Sequence, residues 1–280
     1  MCRWLAYSGT PIRLEELLVK RDRSLIDQSL HARQGATPTN GDGFGVGWYE
    51  EGDGPRVYRS THPAWNDRNL RELAAGISSP LFFAHIRAST GTAIQETNTH
   101  PFRFGNRLWM HNGLIRDFHL VKRELQNAVD DAYFDSIEGT TDSETMFYLA
   151  LTFGLEHDPI EAVERMVGFV EETGEAHGIE HPIQMTVATT DGEIIWAFRY
   201  SSEHDSRSLY FSTRMDALKA LYPESAELQS LSDETRVVVS EPLGDLPGAW
   251  QEVPESHVGI VQPGNDELKP FEPRPARPAP

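Results

Sequence analysis

One cysteine occurs in the 280 residues, and it stands at position 2, directly behind Met1. Methionine aminopeptidases remove an initiator methionine when the next residue is small, and cysteine qualifies. Processing would leave one residue carrying both a thiol and a free α-amine. An α-amine titrates near pH ~8 in peptides, so much of it is a neutral base near physiological pH. That amine can take the thiol's proton, directly or through a water, and the nucleophile then brings its own general base. The ordinary alternative is a small buried residue in an edge strand.

Thiol attack on an amide passes through a tetrahedral oxyanion, which needs fixed donors about 3 Å from the developing charge. His111-Asn112-Gly113, at the end of an apolar run, can supply an asparagine side-chain NH₂ and a glycine N–H. Glycine allows close backbone approach and positive φ. The same residues also read as a plain Asn-Gly turn. Arg87 ends a second apolar run, Leu81 to Arg87, where a guanidinium is costly unless paired. A substrate carboxylate would pair with it bidentately, as would one of the chain's own acids. Asp142 follows Thr141 at the start of a helical pattern, where the helix dipole already favours a carboxylate. Its functional role would be to receive an ammonium. Arg87 and Asp142 together could hold the two charged groups of an amino acid, with its side-chain amide pointing at Cys2.

The elements carrying these residues follow from periodicity. Cys2 to Tyr7 reads as a short strand, and Thr10-Pro11 as a helix start with Leu14, Leu17 and Leu18 at helical spacing. Residues 35 to 47 form a Gly-rich loop leading to a strand around Trp48. Leu70, Leu73, Ala74 and Ile77 share one helix face. Leu81 to Arg87 and Leu108 to His111 read as buried strands. Helices follow from about Asp117 to Asn127, after Thr141, and from about Pro159 to Glu172. Thr141 and Glu144 have capping-box spacing. Gln184 to Thr189 and Glu193 to Tyr200 form a hairpin about Asp191-Gly192. Leu209 to Thr213, Arg236 to Val239 and Val258 to Val261 complete the strands. Strands at both ends with helices between predict an α+β layered fold. The domain is expected over 2–262, with a proline-rich, disordered tail over 263–280.

The formal net charge of −18 argues against nucleic acid, which wants a basic face. No apolar run is long enough for a transmembrane helix or a signal peptide, so no membrane association and a cytoplasmic location are expected. A lone cysteine fits a reducing compartment. His85, His100 and His111 fit no helical metal-ligand spacing. No metal and no cofactor are expected.

Taken in order, six stretches resemble the class II glutamine amidotransferases, which are N-terminal-nucleophile hydrolases. They are Met1-Cys2-Arg3, Asp42 to Gly47, His85 to Thr90, Asn98 to Phe102, His111-Asn112-Gly113 and Thr141 to Glu144. The resemblance implies a four-layer αββα fold with two stacked antiparallel sheets. It implies Cys2 as nucleophile, Asn112 and Gly113 as the oxyanion hole, Arg87 on the substrate carboxylate and Asp142 on its ammonium. Thr90 and His100 match family positions near the pocket, with a supporting role, and with His111 they are expected among the substrate-binding residues. The expected activity is cleavage of the γ-carboxamide of glutamine or a γ-glutamyl metabolite through a γ-glutamyl thioester. Two other roles are a glutaminase subunit feeding ammonia to a separate synthase and a catalytically silent binding protein on the same fold. Many family members have Trp and His where this chain has Ala88 and Gly91, which bears on the loop that closes over glutamine. The layout resembles the small members of the family, including γ-glutamyl amidases. The part of the pocket beyond the γ-amide is expected from residues 31 to 40 and 62 to 69.

Overall fold

The computed structural model describes residues 2–20, 23–30, 39–50, 52, 54–89, 91–212, 215–221, 223–244, 248–262 and 265–275. Its strands in chain order are β1 (Arg3–Arg13), β2 (Phe44–Trp48), β3 (Arg56–Ser60), β4 (Ser78–Ile86), β5 (Phe102–Phe104), β6 (Arg107–Ile115), β7 (Ile183–Thr190), β8 (Ile195–Ser201), β9 (Tyr210–Ser212), β10 (Arg236–Val239), β11 (Trp250–Glu252), β12 (His257–Gln262) and β13 (Asn265–Pro270). The helices are α1 (Glu15–Leu18), α2 (Leu25–Leu30), α3 (Arg68–Gly76), α4 (Phe118–Asn127), α5 (Asp131–Phe134), α6 (Asp142–Thr152), α7 (Pro159–Ala176), α8 (Met215–Leu221) and α9 (Ala226–Gln229).

One sheet has the order β11-β9-β10-β1-β4-β2-β3 and the other β13-β12-β8-β7-β6-β5. Every pairing is antiparallel. Side-chain alternation sorts the apolar residues into three cores. Trp4 and Ala6 of β1, Leu81 and Phe83 of β4, and Leu108 and Met110 of β6 pack between the sheets. Leu5 and Tyr7 face the opposite way, onto Leu17 of α1 and Leu70 and Ala74 of α3. Trp109, Met185 and Val187 face Phe147 of α6 and Val163 and Val167 of α7. The result is helix on sheet on sheet on helix, the expected αββα arrangement.

The same parity determines what lies at the strand ends. Cys2 continues the phase of Trp4 and Ala6, His85 that of Leu81 and Phe83, and Asn112 that of Leu108 and Met110. Three polar residues thus close the inter-sheet layer at one end of the stack.

Three expectations are corrected. The helix start at Thr10-Pro11 lies inside β1, where the register with β4 shifts between Ser8 and Ile12. At such an irregularity the missing proline N–H is tolerated, and the helix is confined to Glu15–Leu18. The capping box is half formed. Thr141 Oγ1 accepts from the Glu144 N–H at 3.2 Å, but the Glu144 carboxylate accepts from the N–H groups of Glu138 and Gly139 instead of reaching back. The tail expected from residue 263 contains an edge strand. β13 pairs with β12, Phe271 is buried against Phe198 and Tyr200, and Arg274 pairs with Glu164 at 2.7 Å. Residues 263, 264 and 276–280 lie outside the described residues. Among the described residues no helix is long and apolar enough to cross a membrane.

Candidate active site

The antiparallel pairing of β1 with β4 sets Arg3 opposite Ile86, so Cys2, just before β1, lies beside Arg87, just after β4. Asn112 and Gly113 come from β6 in the other sheet, and Asp142 opens α6. A hydrogen bond between the sheets joins the two halves: Asn112 Nδ2 donates to the Cys2 carbonyl at 3.1 Å. Arg3 Nη1 donates to the same oxygen at 3.1 Å while its Nε lies 2.7 Å from Glu241 Oε2. The Cys2 backbone is therefore pinned from two directions.

Cys2, Arg87, His100, His111, Gly113 and Asp142 line one cavity of about 510 Å³. Cys2 Sγ is half-buried, with the Ala88 N–H at 3.2 Å and the Ala88 carbonyl at 3.4 Å. Burial pushes the thiol up from its ordinary range, and the Ala88 N–H and the Arg87 charge work against that rise. Asn112 lies in the wall behind, bonded to Cys2 on one side and to His85 Nε2 on the other. Gly113 has φ +144°, and a Cβ there would collide with the Gln184 carbonyl. Only glycine keeps its N–H in this place.

Arg87 is 4% exposed, yet among the described residues no carboxylate lies within ion-pair distance of it. Its guanidinium instead donates to Thr92 Oγ1 at 2.7 Å, the Ala93 carbonyl at 3.0 Å, and Ser89 Oγ and the Asp42 carbonyl at 3.4 Å. These bonds wrap the loop after β4 around the arginine. Asp142 Oδ2 accepts from the Ile115 N–H at 2.8 Å, and Oδ1 from the Ser143 N–H at 2.7 Å. Oδ1 also accepts from Ser143 Oγ at 3.2 Å, so the acceptor capacity left for a further donor is on Oδ2.

Three buried imidazoles support the wall. The His85 and His100 rings lie 4.3 Å apart, and His100 also meets Phe102 at 4.6 Å. His111 Nδ1 is 2.7 Å from Ser143 Oγ. Burial lowers His85 to about 3 and lowers His100 and His111 too, so all three are neutral at pH 7. Among the described residues no group of three His, Cys, Asp or Glu side chains is placed to hold a metal.

Thr90 lies outside the described residues. So do 31–38 of the stretch expected to form the far end of the pocket, and 62–69 do not line the cavity. Its outer wall comes from 113–119 instead, including Leu114, Arg116 and Phe118. Leu114, at 38% exposure, was the available signal, an apolar side chain left open beside the Asn-Gly pair. Asn98 is another missed contributor. It is fully buried, donates to the Ala93 carbonyl and accepts from the Thr140 N–H, so it ties the Arg87 loop to the start of α6. A larger cleft of about 640 Å³, walled by Arg59, Phe104, Glu138 and Tyr148, contains none of the candidate residues.

Against known proteins, the family model of the class-II glutamine amidotransferases matches residues 18–278. The chain belongs to this family. Among its amidotransferase relatives is the probable glutamine amidotransferase DUG3 of Saccharomyces cerevisiae, 36% identical over 94% of this chain and 82% of that protein. The γ-glutamyl-hercynylcysteine sulfoxide hydrolase of Mycolicibacterium smegmatis is 27% identical over 97% of this chain and its own full length. A solved class-II domain protein from Silicibacter pomeroyi superimposes with TM-score 0.72 at 30% identity, covering 97% of this chain and 100% of that one. The glutamine phosphoribosylpyrophosphate amidotransferase of B. subtilis shares the fold at TM-score 0.66 and 15% identity, over 97% of this chain and 49% of that one. As a class II amidotransferase relative the chain is a hydrolytic enzyme. Its two departures from the common family pattern have local consequences here. Ala88 meets Cys2 through its backbone alone, and Gly91 sits at φ +85° in open space.

Proposed function

We propose that this enzyme hydrolyses the γ-carboxamide of glutamine or of a γ-glutamyl metabolite, with Cys2 as nucleophile once Met1 is removed. The carrying observation is one cavity lined by Cys2, Arg87, Asp142 and Gly113. A buried arginine with no ion-pair partner among the described residues, lining the same cavity as a carboxylate, suits the two charged groups of a glutamyl α-carbon. The name of the mycobacterial relative, a γ-glutamyl hydrolase, points the same way.

The free α-amine of Cys2 takes the thiol proton, and the thiolate attacks the γ-carbonyl carbon. Asn112 Nδ2 has a second hydrogen besides the one given to the Cys2 carbonyl. That hydrogen and the Gly113 N–H hold the oxyanion. Collapse breaks the C–N bond as the ammonium returns its proton to the leaving nitrogen, giving a γ-glutamyl thioester and ammonia or an amine. Water then attacks the thioester, the amine again serving as base, and glutamate and the thiol are released. No cofactor enters any step. Thiol chemistry with a single cysteine suits a reducing, cytoplasmic setting.

The test is release of glutamate from glutamine and from γ-glutamyl amines by the wild type and by Cys2→Ala. Loss of all turnover in the variant with its fold intact is expected. Turnover retained by Cys2→Ala would remove Cys2 from the mechanism.

A further inference from the structure

Behind the proposed oxyanion hole lies a fully buried histidine from the opposite sheet. His85 Nε2 is 3.1 Å from Asn112 Oδ1. The identity of each atom in this contact follows from the far side of the amide. A carbonyl oxygen only accepts, so the Asn112 atom facing the Cys2 carbonyl at 3.1 Å is the NH₂ nitrogen. The amide oxygen must then face His85, and the hydrogen between them sits on Nε2. The imidazole is neutral, which leaves Nδ1 as a bare acceptor, and Nδ1 is buried without a hydrogen-bond partner. An unpartnered buried polar atom costs stability, and an apolar side chain in phase with Leu81 and Phe83 would avoid that cost. The ring is held in its plane by His100, stacked at 4.3 Å and tilted by 32°.

We propose that His85 is a positioning residue for the oxyanion hole. Its Nε2–H locks the Asn112 amide with the NH₂ group toward Cys2. Without that donor the amide is held by its bond to the Cys2 carbonyl alone, and its second N–H is no longer firmly aimed at the developing oxyanion. This inference rests on the reading of Cys2 as nucleophile and Asn112 as oxyanion donor. It adds a residue from the opposite sheet that is hydrogen-bonded to Asn112 and does not itself line the cavity.

The test compares His85→Gln, His85→Asn and His85→Ala for γ-amide hydrolysis, with alkylation of Cys2 by iodoacetamide as the control. Glutamine places an N–H donor at the reach of Nε2, whereas asparagine places it at the reach of Nδ1. His85→Ala and His85→Asn are expected to lower kcat roughly tenfold to 10²-fold, short of the 10²–10³ for losing an oxyanion donor outright. KM should stay within about twofold, since ground-state binding is unaffected. His85→Gln should recover most of the rate. Alkylation should proceed at the wild-type rate in all three, because displacement of iodide forms no oxyanion. On an Asn112→Ala background, His85→Ala should cost nothing further, as expected for two residues acting through one interaction. Equal losses in the Gln and Asn variants, or additive losses on the Asn112→Ala background, would overturn the positioning role. If alkylation of wild-type Cys2 leaves hydrolysis intact, the nucleophile reading falls and this inference falls with it. If alkylation inactivates the wild type while His85→Ala turns over normally, only the inference about His85 fails.

Discussion

The Asp142 carboxylate accepts a hydrogen bond from the backbone N–H of Ile115 at 2.8 Å. This contact fastens the first turn of α6 to the end of β6, two residues beyond Gly113. One side chain therefore has two tasks, holding the strand that bears the proposed oxyanion donor and presenting a carboxylate to the cavity.

The two tasks separate by substitution. Asp142→Ala leaves the Ile115 and Ser143 N–H groups without their acceptor and should cost about 1–3 kcal/mol of stability. Asp142→Asn keeps one acceptor oxygen for one of the two N–H groups and should recover about half of that stability. It should still raise KM more than about tenfold, because the charge that faces a substrate ammonium is gone. Urea unfolding and steady-state kinetics on both variants check this. An Asn variant with unchanged KM would leave Asp142 with a structural task alone.

Arg87 holds its loop through side-chain and backbone oxygens of Asp42, Ser89, Thr92 and Ala93. Lysine retains the charge but not the planar fork of donors. Arg87→Lys should therefore lower stability by about 2 kcal/mol and raise KM at least about tenfold, with a smaller change in kcat. A variant that lost stability alone, with KM unchanged, would limit Arg87 to organising the loop.

The neutral histidines make stability depend on pH. His85 falls to about 3, His100 falls well below its ordinary value, and His111 is lowered, in each case chiefly by burial. Unfolded histidine titrates near pH ~6.5, so below that pH the unfolded chain binds more protons than the folded one. The contribution is fully present above pH ~6.5 and is lost as pH falls toward the folded-state values. His85 and His100 each add a slope approaching ~1.4 kcal/mol per pH unit in that window, and His111 adds to it in the same direction. Denaturation midpoints measured from pH 7.5 to 5 should fall, and His85→Gln should flatten the slope by about one proton. A midpoint constant over this range would contradict the assignment.

Much of this site was legible because its residues interrupt apolar runs. Arg87 and Asn112 each follow an apolar run, where a polar side chain needs a reason, and Gly113 beside Asn112 signals a special backbone. Asp142 was legible by place but not by task, since its bond to Ile115 depends on how α6 docks on β6. His85 falls within one of the family stretches, and nothing local in the sequence assigns it a role. Its role depends on strand parity and on a partner from the other sheet, 27 residues away in sequence, and neither is a local signal. Residues 39, 40 and 62–69 are loop-like in composition and do not line the cavity, whereas residues 113–119, at the turn that joins β6 to α4, do. β13 escaped notice because an edge strand of polar residues between prolines pairs through its backbone and shows no apolar alternation.

The most direct test is the intact mass of the purified enzyme before and after incubation with 6-diazo-5-oxonorleucine, a glutamine-shaped electrophile, followed by peptide mapping. Loss of Met1 and a single adduct on Cys2, formed together with loss of hydrolysis, is the expected result. A retained Met1 in an active preparation, or inactivation with the adduct elsewhere, would contradict a mechanism that starts from the Cys2 thiol and its own α-amine.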